Sequence, residues 1–108
     1  MREIKKPWGR EVWFAETEKY VGKIIEIESG KRLSLQYHKV KDETIYVLEG
    51  KAKVTIDKNE LILSPGEFLR IKPRQIHRIE AKKYTKIIEV STPETDDVVR
   101  LEDDYGRV

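Results

Sequence analysis

The chain has 108 residues, 38% hydrophobic and 39% charged, with 22 basic and 20 acidic side chains. That length supports one domain, residues 1–108, around a single core, and the near balance of charge removes any general electrostatic case for nucleic acid or an anionic membrane. Cysteine is absent, which excludes disulfide frameworks and thiolate chemistry. No apolar run reaches the length of a membrane span, and Met1 to Pro7 lacks the apolar centre of a signal peptide. A cytoplasmic location is the expectation. The abundant Lys, Glu and Ile, with one Asn, two Gln and one Met, resemble hyperthermophile usage.

In chain order the sequence reads as β throughout. Val21 to Glu28 is β-branched and stops at Ser29-Gly30. Leu33 to His38 alternates, and Thr44 to Leu48 is a β-branched and aromatic run ending at Glu49-Gly50. Lys51 to Ile56 alternates again, and Asp57 to Glu60 reads as a hairpin turn before Leu61 to Leu63. Ser64-Pro65-Gly66 is a tight turn. Phe68 to Ile71, Gln75 to Ile79 and Tyr84 to Val90 complete the strands. No segment holds a capped 3.6-residue apolar period. Many short strands separated by turns predict an all-β sandwich or closed barrel with little helix.

Chemistry concentrates at Gln36, His38, Glu43 and His77, which include both histidines of the chain. Positions 36 and 38 are two apart, so on a strand both side chains share a face. Two imidazoles, a carboxylate and an amide oxygen suit a borderline divalent metal such as zinc, manganese, iron, cobalt or nickel. The bland alternative is a pair of buried, hydrogen-bonded histidines with no metal. By the same parity Ser34 and Arg32 point inward with Gln36, while Leu33, Leu35 and Tyr37 point outward. Glu43, Ile45 and Val47 share one face of the next strand, and Tyr46 and Leu48 the other. The expectation is therefore a polar interior and an apolar exterior, the latter covered by a second subunit in a two-fold dimer. Most of the basic cluster from Arg70 to Lys86 and the acidic one from Glu94 to Asp104 reads as solvated surface.

These residues identify a family. Gly30, Gln36-x-His38, Glu43 and Gly50 resemble the first motif of the cupins, with Gln36 in place of its first His. Gly66 and His77 hold their places in the second, where Lys72 and Arg74 replace a Pro and a Gly and Pro73 sits between them. The resemblance implies a jelly-roll β-barrel (double-stranded β-helix) with a divalent metal, zinc first, held by Gln36, His38, Glu43 and His77.

Within the cupins the chain resembles the type II mannose-6-phosphate isomerases, whose barrel often ends a longer mannose-1-phosphate guanylyltransferase. Three segments carry this: Lys6 to Glu11, Arg32 to His38, and Arg100 to Arg107. Lys41 and Ile45 stand where that group commonly has Arg and Trp, and an Arg-to-Lys change at a bidentate contact is not neutral. No nucleotidyl-transfer domain precedes the barrel, so transferase activity is not expected. The resemblance implies interconversion of mannose 6-phosphate and fructose 6-phosphate. Glu43 would be either a metal ligand or the base, and Arg32 and Arg107 the contacts to phosphate or hydroxyl, with Lys41 and Arg74 behind them. The alternative is a binding protein for a sugar, sugar phosphate or sugar nucleotide without turnover. An oxygen-dependent cupin is a third class, disfavoured by Gln36. Tyr105-Gly106-Arg107 reads either as part of the closing signature or simply as a C-terminal strand closing the barrel.

Overall fold

The computed structural model describes residues 2–108, and among them are eleven strands and no helix. They are β1 (Arg2–Lys6), β2 (Gly9–Glu16), β3 (Val21–Ile27), β4 (Leu35–Tyr37), β5 (Glu43–Glu49), β6 (Ala52–Ile56), β7 (Asn59–Leu63), β8 (Phe68–Ile71), β9 (His77–Ala81), β10 (Thr85–Ser91) and β11 (Val99–Glu102). All pairings are antiparallel and form two separate hydrogen-bonded sheets. One has the order β1-β2-β3-β10-β5-β8 and the other β11-β4-β9-β6-β7. Apart from the β6–β7 hairpin, the chain changes sheet at every step from β3 onward, which is the winding of a jelly roll. No helix here is long and apolar enough to cross a membrane.

Strand alternation decides which side chains face inward, and position along the strand decides what they do there. On β5, Glu43, Ile45 and Val47 are all buried on one face. On β10 the inward residues are Thr85, Ile87, Glu89 and Ser91, and on β3 they include Lys23, Ile25 and Ile27. One end of each inward face is apolar. There Ile25, Ile27, Ile45, Val47, Val54 and Ile87 meet in the core. The other end is polar and carries the site. The expected inversion, polar inside and apolar outside, is thus corrected: the interior is a hydrophobic core with a polar cavity at one end.

The irregular stretch before β4 corrects a second expectation. Leu33 and Ser34 are consecutive, yet both line the polar cavity, which strict alternation forbids. Regular pairing begins only at Leu35, and Arg32 makes an isolated bridge with Glu80. Parity therefore cannot be carried back from Gln36. Leu33 faces inward, packed against the core. Leu35 and Tyr37 lie on one sheet and Tyr46 and Leu48 on the other, so the five residues do not form one exterior face.

The β1–β2 hairpin was not assigned from sequence, because its strands are mostly charged and its alternation, Glu11 and Trp13 inward, is masked by polar neighbours. The last strand ends at Glu102, and Tyr105-Gly106-Arg107 is a turn beyond it, with the Arg107 N–H donating to Asp103 Oδ2 at 2.8 Å. Gly50 ends β5 at φ +93°, where a Cβ would stand 2.2 Å from the Tyr84 carbonyl oxygen; both the dihedral and the space require glycine.

Candidate metal centre

His38 follows β4, Glu43 opens β5 and His77 opens β9, so two sheets deliver three side chains to one point. All three are buried, and one ligand atom from each lies within 4.8 Å of the others. Glu43 Oε1 stands 3.4 Å from His38 Nε2 and 3.3 Å from His77 Nε2. The opposite ring nitrogens fix the tautomers. His38 Nδ1 donates to the Asp97 carbonyl at 2.6 Å, and His77 Nδ1 donates to the Gln75 carbonyl at 2.9 Å. A carbonyl only accepts, so each Nδ1 carries the proton, and in the neutral imidazole each Nε2 presents a lone pair toward Glu43. His38 Nε2 is buried with no hydrogen-bond partner. Lone pairs and a carboxylate facing one another in a buried site are unfavourable alone. They fit a divalent cation, with the Nδ1 hydrogen bonds acting as the outer contacts that orient ligating histidines.

Gln36 is the cross-strand partner of His77 and lines the same cavity as His38. Its Oε1 accepts from Ser34 Oγ at 2.6 Å. Burial pushes the Glu43 carboxyl up, while the Lys41 ammonium, 3.4 Å from its Oε2, pulls it down.

A buried chain of alternating charge runs from this point into the cavity. Lys41 Nζ lies 3.4 Å from Glu43 Oε2 and 3.0 Å from Glu89 Oε2. Lys23 Nζ lies 3.8 Å from Glu89 Oε2 and 3.6 Å from Glu11 Oε1. Glu11 also accepts from Trp13 Nε1 at 2.9 Å, and Lys23 Nζ sits 4.2 Å above the Trp13 ring centroid. Burial lowers the Lys41 pKa, but Glu89 and Glu43 reverse this and leave it raised. Burial and the Glu43 charge push Glu89 up to about 8 against the pull of Lys41 and Lys23. Glu89, Lys23 and Glu11 were missed as site residues. The available signal was alternation: Glu89 shares its strand face with Ile87, and Lys23 with Ile25.

The other residues singled out from sequence divide. Arg107 lines the cavity and is paired in a two-pronged contact with Asp103, Nε to Oδ2 and Nη2 to Oδ1, both at 2.9 Å. Arg32 does not line it. Its guanidinium grips the Asp104 carboxylate at 2.7 and 2.9 Å on the exposed side of the β-layer, where Arg78 also approaches at 3.5 Å. The expected inward Arg32 is corrected, for the broken parity described above and because Asp104 offers a partner outside. Arg74 lies in a turn, donating its N–H to the His38 carbonyl at 2.6 Å.

A two-sheet jelly roll with a buried His-Glu-His group at one end defines a cupin. The solved structures agree in fold: KdgF from Halomonas sp. superposes with a TM-score of 0.79 at 22% identity, covering 85% of this chain and 84% of that one. An RmlC-like cupin from Shewanella frigidimarina gives 0.76 at 18% identity, covering 82% and 78%. The family described as Mannose-6-phosphate isomerase C-terminal matches residues 1–103, and the chain belongs to that family. It is 38% identical over 112 aligned positions to the mannose-1-phosphate guanylyltransferase ManC of Salmonella typhimurium, covering 99% of this chain. It is 34% identical to the alginate biosynthesis protein AlgA of Pseudomonas aeruginosa, covering 97%. The chain spans 23% of the length of each of these relatives.

Proposed function

We propose that this cupin binds a divalent metal and a sugar phosphate, and interconverts mannose 6-phosphate and fructose 6-phosphate. The observation that carries the reading is the convergence of two imidazole lone pairs and a carboxylate oxygen in a buried group, in a chain of the mannose-6-phosphate isomerase C-terminal family. His38, Glu43 and His77 would hold the ion with Gln36 as a fourth donor, a set that favours zinc. Bound there, the ion supplies Lewis-acid polarisation of sugar oxygens.

The chain's own residues bind and position. Aldose–ketose exchange moves a proton between adjacent carbons, so a carboxylate must face the substrate. The position of Glu43 Oε1 between the imidazoles supports Glu43 as a ligand of the ion, which leaves Glu89, on the cavity wall, to accept the proton in its ionised form and return it, its carboxyl raised to about 8 making it a stronger base than a free one. Lys41, held between Glu43 and Glu89, fixes both carboxylates and counters charge developing on the sugar. Arg107 is a substrate contact. The free volume of the cavity is about 100 Å³. Small-molecule pockets usually offer roughly 300–1,000 Å³, so side chains lining this cavity have to move outward for a sugar phosphate to enter.

The test is formation of fructose 6-phosphate from mannose 6-phosphate with zinc, manganese, cobalt or nickel supplied in turn. Turnover that disappears in His77→Ala supports the reading. Sugar-phosphate binding without turnover under any metal replaces it with the binding-protein alternative, which the Lys41 and Ile45 departures favour.

A two-fold dimer belongs to the same proposal. Val12, Ile24, Ile88, Tyr46 and Phe68 are successive cross-strand partners over β2, β3, β10, β5 and β8. They form one apolar row on the outer face of the six-stranded sheet, with Phe68 68% exposed. A second copy of the chain is the occupant that would cover it.

A further inference from the structure

We propose that Lys6, Arg100 and Arg107 form a phosphate seat in the cavity, so that a sugar phosphate lies between this seat and the His38–Glu43–His77 group. The identity of the ligand rests on the sugar-phosphate reading above; the seat stands on the charges of the chain itself.

Five cations line the cavity: Lys6, Lys23, Lys41, Arg100 and Arg107. Three of them already have carboxylate partners, and Arg107 joins the seat as a paired guanidinium beside the two unpaired cations. Lys23 lies between Glu11 and Glu89, Lys41 between Glu89 and Glu43, and Arg107 on Asp103. Among the described residues, Lys6 and Arg100 have no carboxylate within salt-bridge distance. Arg100 Nε is moreover buried with no hydrogen-bond partner. A buried, unpartnered donor on a cation costs free energy until an acceptor reaches it, and an oxyanion is the acceptor that also removes the charge. Burial, Arg100 and Arg107 all lower the Lys6 pKa, against Glu11, so both guanidinium charges act on the Lys6 ammonium and a dianion beside it relieves the repulsion.

Register fixes the distance to the metal group. Arg100 is the cross-strand partner of Gln36, and Gln36 of His77. Paired residues point to the same face, so Arg100, Gln36 and His77 stand in one inward row. Two strand spacings of roughly 4.8 Å separate the ends of that row, room for the carbon chain of a hexose between its phosphate and its reacting oxygens. Arg32, on Asp104 outside the cavity, has no part in the seat.

Calorimetric titration of the protein, metal-loaded and metal-stripped, with mannose 6-phosphate, mannose and inorganic phosphate tests this. Wild-type protein should bind phosphate in both states, since the seat needs no metal. Arg100→Gln and Lys6→Gln should each weaken mannose 6-phosphate and phosphate about tenfold to a hundredfold, the range of a lost charge-assisted hydrogen bond. Zinc affinity and mannose binding should hold within about twofold, which also shows that both variants are folded. The inference is overturned if both variants bind phosphate as the wild type does, or if the wild type binds none. It is equally overturned if Arg32→Gln abolishes phosphate binding while Arg100→Gln retains it, or if metal stripping alone removes it. Phosphate binding that needs Lys6 and Arg100, in a protein with no turnover, supports the seat and removes the isomerase reading alone.

Discussion

At the scale of single residues, the site is governed by which atoms already have partners. The Nδ1 atoms of His38 and His77 are committed to backbone carbonyls, so Nε2 is the only ring atom either can offer. His77→Ala should therefore lower zinc affinity by more than the roughly 10–100-fold of an outer-contact change, measured as competition against a chromophoric chelator. Zinc retained at wild-type affinity would show that the histidines hold no metal. Lys41 makes a separate case. It is the buried cation between Glu43 and Glu89, and Lys41→Met leaves two carboxyl groups facing each other without it. Above about pH 8, where Glu89 is ionised, breaking a buried pair in this way costs about 3–5 kcal/mol, read by urea denaturation. Adding Glu89→Gln should recover much of that loss, because it removes the orphaned charge. A double variant no more stable than the single one would mean that Lys41 matters through packing.

At the scale of elements, two turns hold the site in place. Asp97 receives the backbone N–H groups of Lys39, Val40 and Lys41 at 3.1, 2.6 and 3.0 Å, while its own carbonyl takes the His38 Nδ1–H. Those N–H groups pull its carboxyl down to about 2 from 3.8. A depressed carboxylate stabilises the fold above its unfolded pKa, and the contribution is lost as pH falls through the folded value. Stability should thus fall between about pH 4 and pH 2 by an amount that Asp97→Asn removes, measured by thermal melts across that range; an unchanged acid limb would refute the assignment. The second turn carries Arg74 at φ +70°, following Pro73 where a type II turn favours glycine. Arg74→Gly relieves left-handed strain at some entropic cost, for a net gain of about 0.5–1 kcal/mol, seen as a higher Tm. A lower Tm would show that the Arg74 side chain contributes more than its backbone costs. The sequence reading found this position as a departure from the cupin motif, and the dihedral explains why glycine is usual there. The strands from Val21 to Val90 and the His-Glu-His group were legible because alternation and motif spacing are local; the apolar core was not, because the inward face was read from the polar ligands alone. Arg32 was misplaced because parity was extended through a stretch that is not a strand. Glu89 was overlooked because one carboxylate in an apolar strand gains meaning only once Lys41 and Lys23 arrive from other strands.

At the scale of the whole molecule, the apolar row from Val12 to Phe68 should set the oligomeric state. Tyr46→Glu with Phe68→Glu should convert a dimer to a monomer in sedimentation without changing zinc affinity, since both side chains point away from the metal group. A wild type that sediments as a monomer at micromolar concentration ends the dimer proposal. Both tryptophans of the chain, Trp8 and Trp13, line the cavity, and Trp13 is held between the Lys23 ammonium and Glu11. The indole emission of the protein, excited selectively over its five tyrosines, therefore comes entirely from the walls of the binding site. Ligand entry changes the charge and solvent around both indoles at once, so occupancy can be followed optically on the unlabelled protein, with Trp13→Phe leaving Trp8 as the single remaining lamp.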